Sequence, residues 1–180
     1  MILIVGASAS GKTVIGKYLI DTYHFKKFVT TTTRPMRANE KQNIDYHFVS
    51  KTEFLEKVKS NSFIEYTTYN GYYYGSEKKE LANNKILIVE PNGLKAYLGL
   101  KDRSIVSFYI SCDEKTRKTR MITRKDNIED IIKRLNNDRD LFTSHLENLV
   151  DYTIDSTYTK TEEISDKIYK LYLAKITASN

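Results

Sequence analysis

The chain has 180 residues, of which 40% are hydrophobic and only 2 are proline, and this composition excludes a disordered tail and allows one domain with its own core. The formal net charge of +6 permits polyanionic partners, of which nucleotides are the smallest. No apolar run approaches the roughly 18 residues of a membrane-spanning helix, and the single cysteine, Cys112, excludes an internal disulfide.

The first predicted element is a buried strand that runs into a loop and then a helix. The apolar residues 1–5 precede the sequence GASASGKT, which has the spacing G-x-x-x-x-G-K-[ST]. On the helix that follows, Val14, Ile15, Tyr18 and Leu19 predict one buried face. Successive N–H groups at such a junction, together with the helix dipole, can hold a phosphate chain.

This loop predicts a site for a nucleoside triphosphate. Lys12 would place a positive charge at the β- and γ-phosphates, and the Thr13 hydroxyl would ligate Mg²⁺. A glycine- and serine-rich turn that binds nothing is the structural alternative. The residues predicted to bind the triphosphate are Gly6, Ala7, Ser8, Ala9, Ser10, Gly11, Lys12 and Thr13.

Between residues 30 and 76 the sequence changes to tyrosines, threonines and turn residues, which indicates a smaller sub-domain inserted into an α/β core. Within this region, Ser50 and Glu53 have the spacing of a capping box and predict the start of a helix. Beyond it, the apolar runs 85–89 and 105–110 are typical of strands that are covered on both faces of a parallel sheet.

Two further helices are predicted toward the C-terminus. One starts between Asp126 and Glu129, and the other starts at a second capping box formed by Thr159 and Glu162. The first of them carries an apolar stripe that we expect to face the core, made up of Ile128, Ile131, Ile132, Leu135, Phe142, Leu146 and Leu149.

Several segments of the middle region resemble a known family. Residues 30–40 read TTTTRPMRANE, residues 45–50 read DYHFVS, residues 63–66 read FIEY and residues 74–76 read YGS. We call residues 6–13 the phosphate loop. With this loop before them, these segments, in this order, resemble guanylate kinase, a family of P-loop nucleoside monophosphate kinases.

The resemblance implies an α/β P-loop fold of three layers with a central parallel sheet. A small mixed β sub-domain that binds the nucleoside monophosphate would be inserted into it, together with a helical lid. On this basis we expect the core to comprise residues 1–29 and 81–180, the monophosphate-binding sub-domain about 30–80 and the lid about 117–134.

The chemistry of the middle region suits GMP. Arg34 and Arg37 supply two guanidinium groups for a phosphate dianion, and Tyr46 and Tyr74 add hydroxyl donors. Guanine presents adjacent N–H donors that a carboxylate such as Glu65 can accept, and its O6 calls for a hydroxyl donor. Surface arginines and ordinary strand residues are the structural alternative. The residues predicted to bind the substrate are Thr30, Arg34, Arg37, Tyr46, Glu65, Tyr74, Ser76 and Glu90.

A second basic group lies in the predicted lid. Arg117, Arg120 and Arg124 are three and four residues apart, so one helix face would carry all three, and Arg134 lies on the next helix. The resemblance implies that Arg120, Arg124 and Arg134 clamp the transferring phosphates and act with Lys12 as catalytic residues. We interpret Arg117 instead as part of a solvated basic face.

We expect the chain to transfer a phosphoryl group from Mg·ATP to GMP, and also to dGMP. The products would be ADP and the nucleoside diphosphate. The chain departs from the family pattern in several places. Ile88 replaces a usual acidic residue, Ala9 a loop glycine and Ser156 an asparagine. Asn39 and Asn43 replace two glycines of the substrate segment, and the stretch between Arg124 and Arg134 is one residue short. A kinase for another nucleoside monophosphate and a non-catalytic guanylate-kinase-like interaction module are the alternatives. We expect a cytoplasmic monomer or homodimer that binds nucleotides but neither nucleic acid nor a membrane.

Overall fold

The structure is a computed structural model and describes residues 1–178. It divides into two compact units, residues 1–26 with 83–178 and residues 27–82. The predicted monophosphate-binding sub-domain, 30–80, lies inside the second unit. None of the helices within residues 1–178 has the length and apolar character needed to span a membrane.

The helices and strands alternate through most of the described chain. In chain order they are β1 (Ile2–Val5), α1 (Lys12–Tyr23), β2 (Lys26–Lys27), β3 (Thr31–Thr32), β4 (His47–Phe48), α2 (Lys51–Lys59), β5 (Phe63–Tyr69), β6 (Tyr72–Glu77), β7 (Lys85–Ile88), α3 (Pro91–Gly99), β8 (Val106–Ser111), α4 (Glu114–Thr123), α5 (Ile128–Leu141), α6 (Ser144–Glu147), β9 (Tyr152–Asp155) and α7 (Thr161–Thr177). One turn of 3₁₀ helix, Lys78–Glu80, follows β6.

The first unit is built on a five-stranded sheet in the order β2-β7-β1-β8-β9. The pairings of β1 with β7, β1 with β8 and β8 with β9 are all parallel. All four residues of β1 are buried, as expected for a strand at the centre of a sheet that is covered on both faces. The carboxyl ends of these strands therefore meet at one edge, which is where the phosphate loop follows β1.

Helices α1 and α7 pack together on this sheet. Ile15 and Leu19 of α1 join a buried cluster with residues of the sheet and of α7, and the rings of Tyr23 and Tyr169 stack with centroids 3.9 Å apart. Val14 was predicted to share the buried face, but its side chain is 54% exposed. The buried face of α1 is therefore narrower than the sequence pattern indicated.

The second unit is a small mixed sheet covered by one helix. The strands lie in the order β4-β3-β6-β5, with β3 parallel to β4 and antiparallel to β6, and with β5 antiparallel to β6. Helix α2 starts at the predicted capping box of Ser50 and Glu53, which is confirmed. Its Phe54 is fully buried and stacks on Phe63, with centroids 4.4 Å apart. The predicted fold class is confirmed.

Two expectations about the C-terminal helices are wrong. Helix α7 begins after Lys160 without a side-chain cap, so Thr159 and Glu162 form no capping box. In α5, Ile131 and Leu135 are buried, whereas Ile128 and Ile132 are 61% and 51% exposed. The physical reason is that α5 packs through a narrow contact on Met121 of α4, and this contact covers only one side of the apolar stripe.

Candidate functional site

The phosphate loop joins β1 to α1 and depends on two special backbone positions. A Cβ added at Gly6 would lie 2.5 Å from the Ile110 carbonyl oxygen, so only glycine fits there. Gly11, with φ of 101°, is the N-cap of α1 and provides no side-chain acceptor. The N–H groups of the first helical turn are therefore not capped by a side chain, and this arrangement suits an anion.

The ammonium group of Lys12 lies over this loop. Its Nζ donates to the carbonyl oxygens of Gly6 and Ala7, at 2.6 and 2.9 Å. Burial lowers the pKa of Lys12, and the negative charges of Glu90 and Asp138 partly offset this effect. A bound phosphate would add a further negative charge and favour the ammonium form.

A pocket of about 290 Å³ opens beside the loop. Arg120 reaches across it, because its Nη2 donates to the Ser156 carbonyl oxygen at 2.6 Å and its Nη1 to that of Ala9 at 3.3 Å. The structure thus brings seven of the predicted residues to one pocket, namely Ala9, Ser10, Gly11, Lys12, Thr13, Arg120 and Arg124. The lining residues are Ala9, Ser10, Gly11, Lys12, Thr13, Val14, Ile15, Arg120, Arg124, Ser156, Thr159, Thr161 and Ile164.

The other predicted lid arginine, Arg134, shares a carboxylate with Arg124. Asp126 accepts from Arg124 Nη2 at 2.6 Å and from Arg134 Nη1 at 3.2 Å. The hydrogen bond from Arg124 lowers the pKa of Asp126 below its ordinary value of 3.8. Both arginine side chains are about half exposed, at 49% and 48%. A carboxylate therefore joins two guanidinium groups for which the family resemblance implies a role in binding phosphate.

The predicted base-recognition residues lie on the hairpin of β5 and β6 in the second unit. Glu65 and Ser76 are cross-strand partners, and Ser76 Oγ donates to Glu65 Oε1 at 2.5 Å. Ser76 is buried and Glu65 half-buried. Tyr74 is two residues before Ser76 on β6, so the two side chains share a face of the sheet. Thr30, half-buried before β3, is joined to β4 through a hydrogen bond from His47 N to its carbonyl oxygen.

Arg34 lies in the loop after β3 and is already paired. Its Nη2 contacts Glu40 Oε1 at 2.6 Å, and this bond raises the pKa of Arg34. The guanidinium carbon lies 5.6 Å from the centroid of the Tyr46 ring, and that ring lies 6.2 Å from the ring of Tyr74. Arg37 is exposed, and its backbone N–H donates to the other oxygen of Glu40. Arg34, Tyr46 and Tyr74 are thus together, while the Arg37 side chain stays in solvent.

Comparison with known proteins identifies the family of this chain. The family model described as guanylate kinase matches residues 1–168. Over 150 residues the chain is 33% identical to a guanylate kinase of Campylobacter jejuni strain RM1221, a match that covers 78% of this chain and 73% of that protein. The chain belongs to the guanylate kinase family. The family predicted from the motifs is thereby confirmed, and with it the assignment to a family of kinases.

Two further proteins that are similar to this chain are a guanylate kinase of known structure and a longer protein. A crystal structure of guanylate kinase from Anaplasma phagocytophilum matches with a TM-score of 0.66 and 25% identity, and the match covers 97% of this chain and 85% of that chain. The chain is also 33% identical, over 129 residues, to MAGUK p55 subfamily member 7 of Danio rerio. That match covers 67% of this chain but 22% of the longer protein.

Three of the departures from the guanylate kinase pattern lie in the first unit, and the structure shows the surroundings of each. Ala9 adopts φ of 59°, the left-handed region in which glycine would be free of strain. Ile88 is 39% exposed at the end of β7, and its Cδ1 would lie 3.7 Å from a Cβ added at Gly16. Ser156 is buried, and its Oγ donates to the carbonyl oxygen of Ser10 at 2.7 Å.

The position of Arg117 in this guanylate kinase family member shows that its interpretation as part of a solvated basic face is wrong. It does not belong to a solvated face, since it is only 6% exposed, and its Nη1 contacts Asp138 Oδ2 at 2.6 Å. Sequence reasoning missed Asp138, although a signal was present. Asp138 lies three residues after Leu135 and seven after Ile131, and an acidic residue in that position on an apolar face needs a buried partner.

Proposed function

We propose that the chain transfers the γ-phosphoryl group of Mg·ATP to GMP, and to dGMP, giving ADP and GDP or dGDP. The observation that carries the choice of base is the Glu65–Ser76 pair on β5 and β6. A carboxylate can accept from N1–H and N2–H₂ of guanine, while the hydroxyl of Ser76 or of Thr30 can donate to O6. Membership of the guanylate kinase family supports the same choice.

Binding of guanine would exchange an internal hydrogen bond for intermolecular ones. In the structure Ser76 donates its hydroxyl proton to Glu65, and it therefore cannot donate the same proton to O6. Rotation of the hydroxyl toward O6 would free Glu65 Oε1 for a guanine N–H. Arg34 would likewise turn from Glu40 toward the phosphate of GMP, helped by hydroxyl donation from Tyr46 and Tyr74.

On the donor side, the loop between β1 and α1 would hold the triphosphate of ATP. The acceptor oxygen of GMP is already ionised at neutral pH, so the reaction needs positioning and positive charge rather than a general base. Lys12 and Arg120 supply this charge at the pocket in the first unit. Arg124 and Arg134 would join them by leaving Asp126 for the phosphates.

The residues at the pocket fit Mg²⁺ that is bound together with the nucleotide. Within residues 1–178, no group of three or more His, Cys, Asp or Glu side chains could hold a metal ion by itself. Mg²⁺ commonly keeps several waters and takes one or two protein oxygens plus substrate phosphates. Thr13 would ligate it directly and Glu90 would hold its water shell. The ion would neutralise charge on the β- and γ-phosphates.

A panel of acceptors tests the proposed reaction. Purified protein is incubated with Mg·ATP and GMP, dGMP, IMP, AMP, CMP, UMP or dTMP, and the diphosphate products are separated by chromatography. We expect GMP and dGMP to be used, and IMP, which lacks the 2-amino group, to have a kcat/KM lower by about 100-fold or more. Preferential use of another monophosphate would overturn the assignment to guanine and support the kinase of different specificity, an alternative that Ile88 favours.

The second candidate function is the non-catalytic interaction module. The similarity to MAGUK p55 subfamily member 7 is the observation that favours it. The presence of Lys12, Thr13 and Arg120 around one pocket favours catalysis instead. If no monophosphate in the panel yields a diphosphate while the protein is folded, the interaction module becomes the better assignment.

A further inference from the structure

A buried ion pair connects the helices α4 and α5 to the phosphate loop. Arg117 of α4 and Asp138 of α5 are both 6% exposed, and Arg117 Nη1 lies 2.6 Å from Asp138 Oδ2. Asp138 also accepts from the backbone N–H of Ser8 at 3.0 Å and from its hydroxyl at 3.2 Å. Arg117 Nη1 in turn donates to the Ser8 carbonyl oxygen at 3.3 Å. One loop residue is thus held at three of its polar atoms.

This pair is poorly explained as a device for stability alone. Removing two charges from water costs free energy that an ion pair offsets only when its hydrogen bonds are complete. Within the described chain, Arg117 Nε is buried and has no hydrogen-bond partner. Beyond their contact with each other, Arg117 and Asp138 form hydrogen bonds with Ser8. These bonds indicate that the ion pair serves to hold the phosphate loop.

Ala9, the residue that follows Ser8, has a strained backbone and needs neighbouring contacts to keep its conformation. Ala9 adopts φ of 59°, a left-handed conformation that costs a non-glycine residue about 1–2 kcal/mol. A backbone conformation of this kind persists only when the surrounding structure enforces it. Here Ser8 is held on one side by Asp138 and Arg117, and on the other side the Ser10 carbonyl oxygen accepts from Ser156 at 2.7 Å.

We propose that Arg117 and Asp138 are positioning residues, which hold Ser8 so that the loop keeps its phosphate-binding shape despite the alanine at position 9. Their role is to lower the cost of ordering the loop when the triphosphate of ATP binds. This inference rests on the proposed binding of ATP by the loop, but not on the identity of the acceptor. The pair acts through Ser8 and need not touch the nucleotide.

The test removes both charges together, because a single substitution would leave a buried charge without its partner. The variant is Arg117→Met with Asp138→Leu. A matched control exists on the same two helices, since Glu114 of α4 and Arg139 of α5 form an exposed pair at 2.5 Å that does not contact the loop. The control variant is Glu114→Gln with Arg139→Met.

Both variants are compared with the unaltered protein by two separate calorimetric titrations, one with a non-hydrolysable ATP analogue plus Mg²⁺ and one with GMP. Thermal unfolding of each protein is measured as well. We expect the Kd of the analogue to rise about tenfold in the variant that lacks the buried pair, as for the loss of one charge-assisted hydrogen bond. The Kd of GMP should stay within about twofold. The control should leave both constants within about twofold.

A folded variant of the buried pair that binds the analogue with unaltered affinity would overturn the inference. If that variant does not fold, Ser8→Ala decides the question, because it removes one of the three contacts and leaves the ion pair intact. We then expect a Kd for the analogue raised about threefold and an unfolding temperature lowered by a few degrees, because Asp138 Oδ1 loses a hydrogen bond; an unchanged Kd would refute the proposal. Failure to phosphorylate GMP would overturn the proposed reaction without affecting this result.

Discussion

The predicted nucleotide sites of the two units are built from different kinds of groups. In the first unit the loop between β1 and α1 offers backbone N–H groups, and side chains such as Lys12 and Arg120 are added around them. In the second unit the candidate site consists of side chains on a small sheet, chiefly Arg34, Glu65 and Ser76. Backbone groups recognise phosphate in any nucleotide, whereas side chains can discriminate between bases. The second unit is therefore where specificity should be lost by single substitutions.

The ion pairs of the arginines in the two units also differ in how exposed they are. Arg34 and Glu40 are 13% and 17% exposed, whereas Arg124 and Arg134 meet Asp126 with about half of each arginine side chain in solvent. Ion pairs between exposed charges are weak and are screened by salt. The pairs at Asp126 should therefore exchange for phosphate more readily than the pair at Glu40.

The largest expected effect comes from replacing Lys12 in the first unit. It tests whether the backbone N–H groups of the phosphate loop are sufficient for catalysis without this lysine. Lys12→Ala should lower kcat about a thousandfold with GMP and dGMP alike, because it removes positive charge from the transferring phosphoryl group. The Kd of GMP should not change. Lys17→Ala, which alters an exposed lysine of the same helix, serves as the control and should be fully active. A fall in activity with one acceptor only would contradict the division of roles.

The second effect concerns the stability of the second unit. Glu77 is 2% exposed; burial would raise its pKa, but hydrogen bonds from Lys57, Thr31 and Lys79 outweigh this and lower the pKa to about 2. Because the pKa is lower in the folded state, the stabilisation is present above the ordinary value of 4.5 and is lost as the pH falls toward 2. Its size is on the order of 3 kcal/mol.

Urea unfolding of Glu77→Gln and of the unaltered protein, followed by tyrosine fluorescence, measures this effect. At pH 7 the variant should have the lower free energy of unfolding, and the difference should shrink as the pH approaches 2. Glu56→Gln, at an exposed position of α2, is the matched control. A difference that does not depend on pH would show that the carboxylate charge of Glu77 contributes nothing to stability.

The smallest of the three effects concerns the base. Glu65→Gln should lower kcat/KM for GMP by about 10- to 100-fold, since an amide cannot accept both guanine donors as a carboxylate does. The loss should be smaller with IMP, so the preference for GMP over IMP should decrease. Kinetic measurements with both acceptors check this, with Glu56→Gln again as the control. Equal losses for the two acceptors would place Glu65 away from the 2-amino group.

Much of this molecule could be predicted from its sequence, because the relevant signals are local. The phosphate loop is eight consecutive residues that follow β1 and end in the first turn of α1, and its geometry follows from the glycines and the helix start. The capping box at Ser50 is equally local and is confirmed. The spaced segments from Thr30 to Ser76 indicated the family, which the comparisons confirm. The roles of the individual site residues stay predictions.

Tertiary structure decided which charges are paired. Arg117 and Asp138 are 21 residues apart, and only the packing of α4 against α5 brings them together at Ser8. The same packing leaves Ile128 and Ile132 in solvent, although their spacing predicted burial. Residue spacing defines the face of a helix on which a side chain lies, but the neighbouring element determines whether that face is covered. For this reason the sequence by itself predicted the phosphate loop, and only the fold showed what holds it in shape.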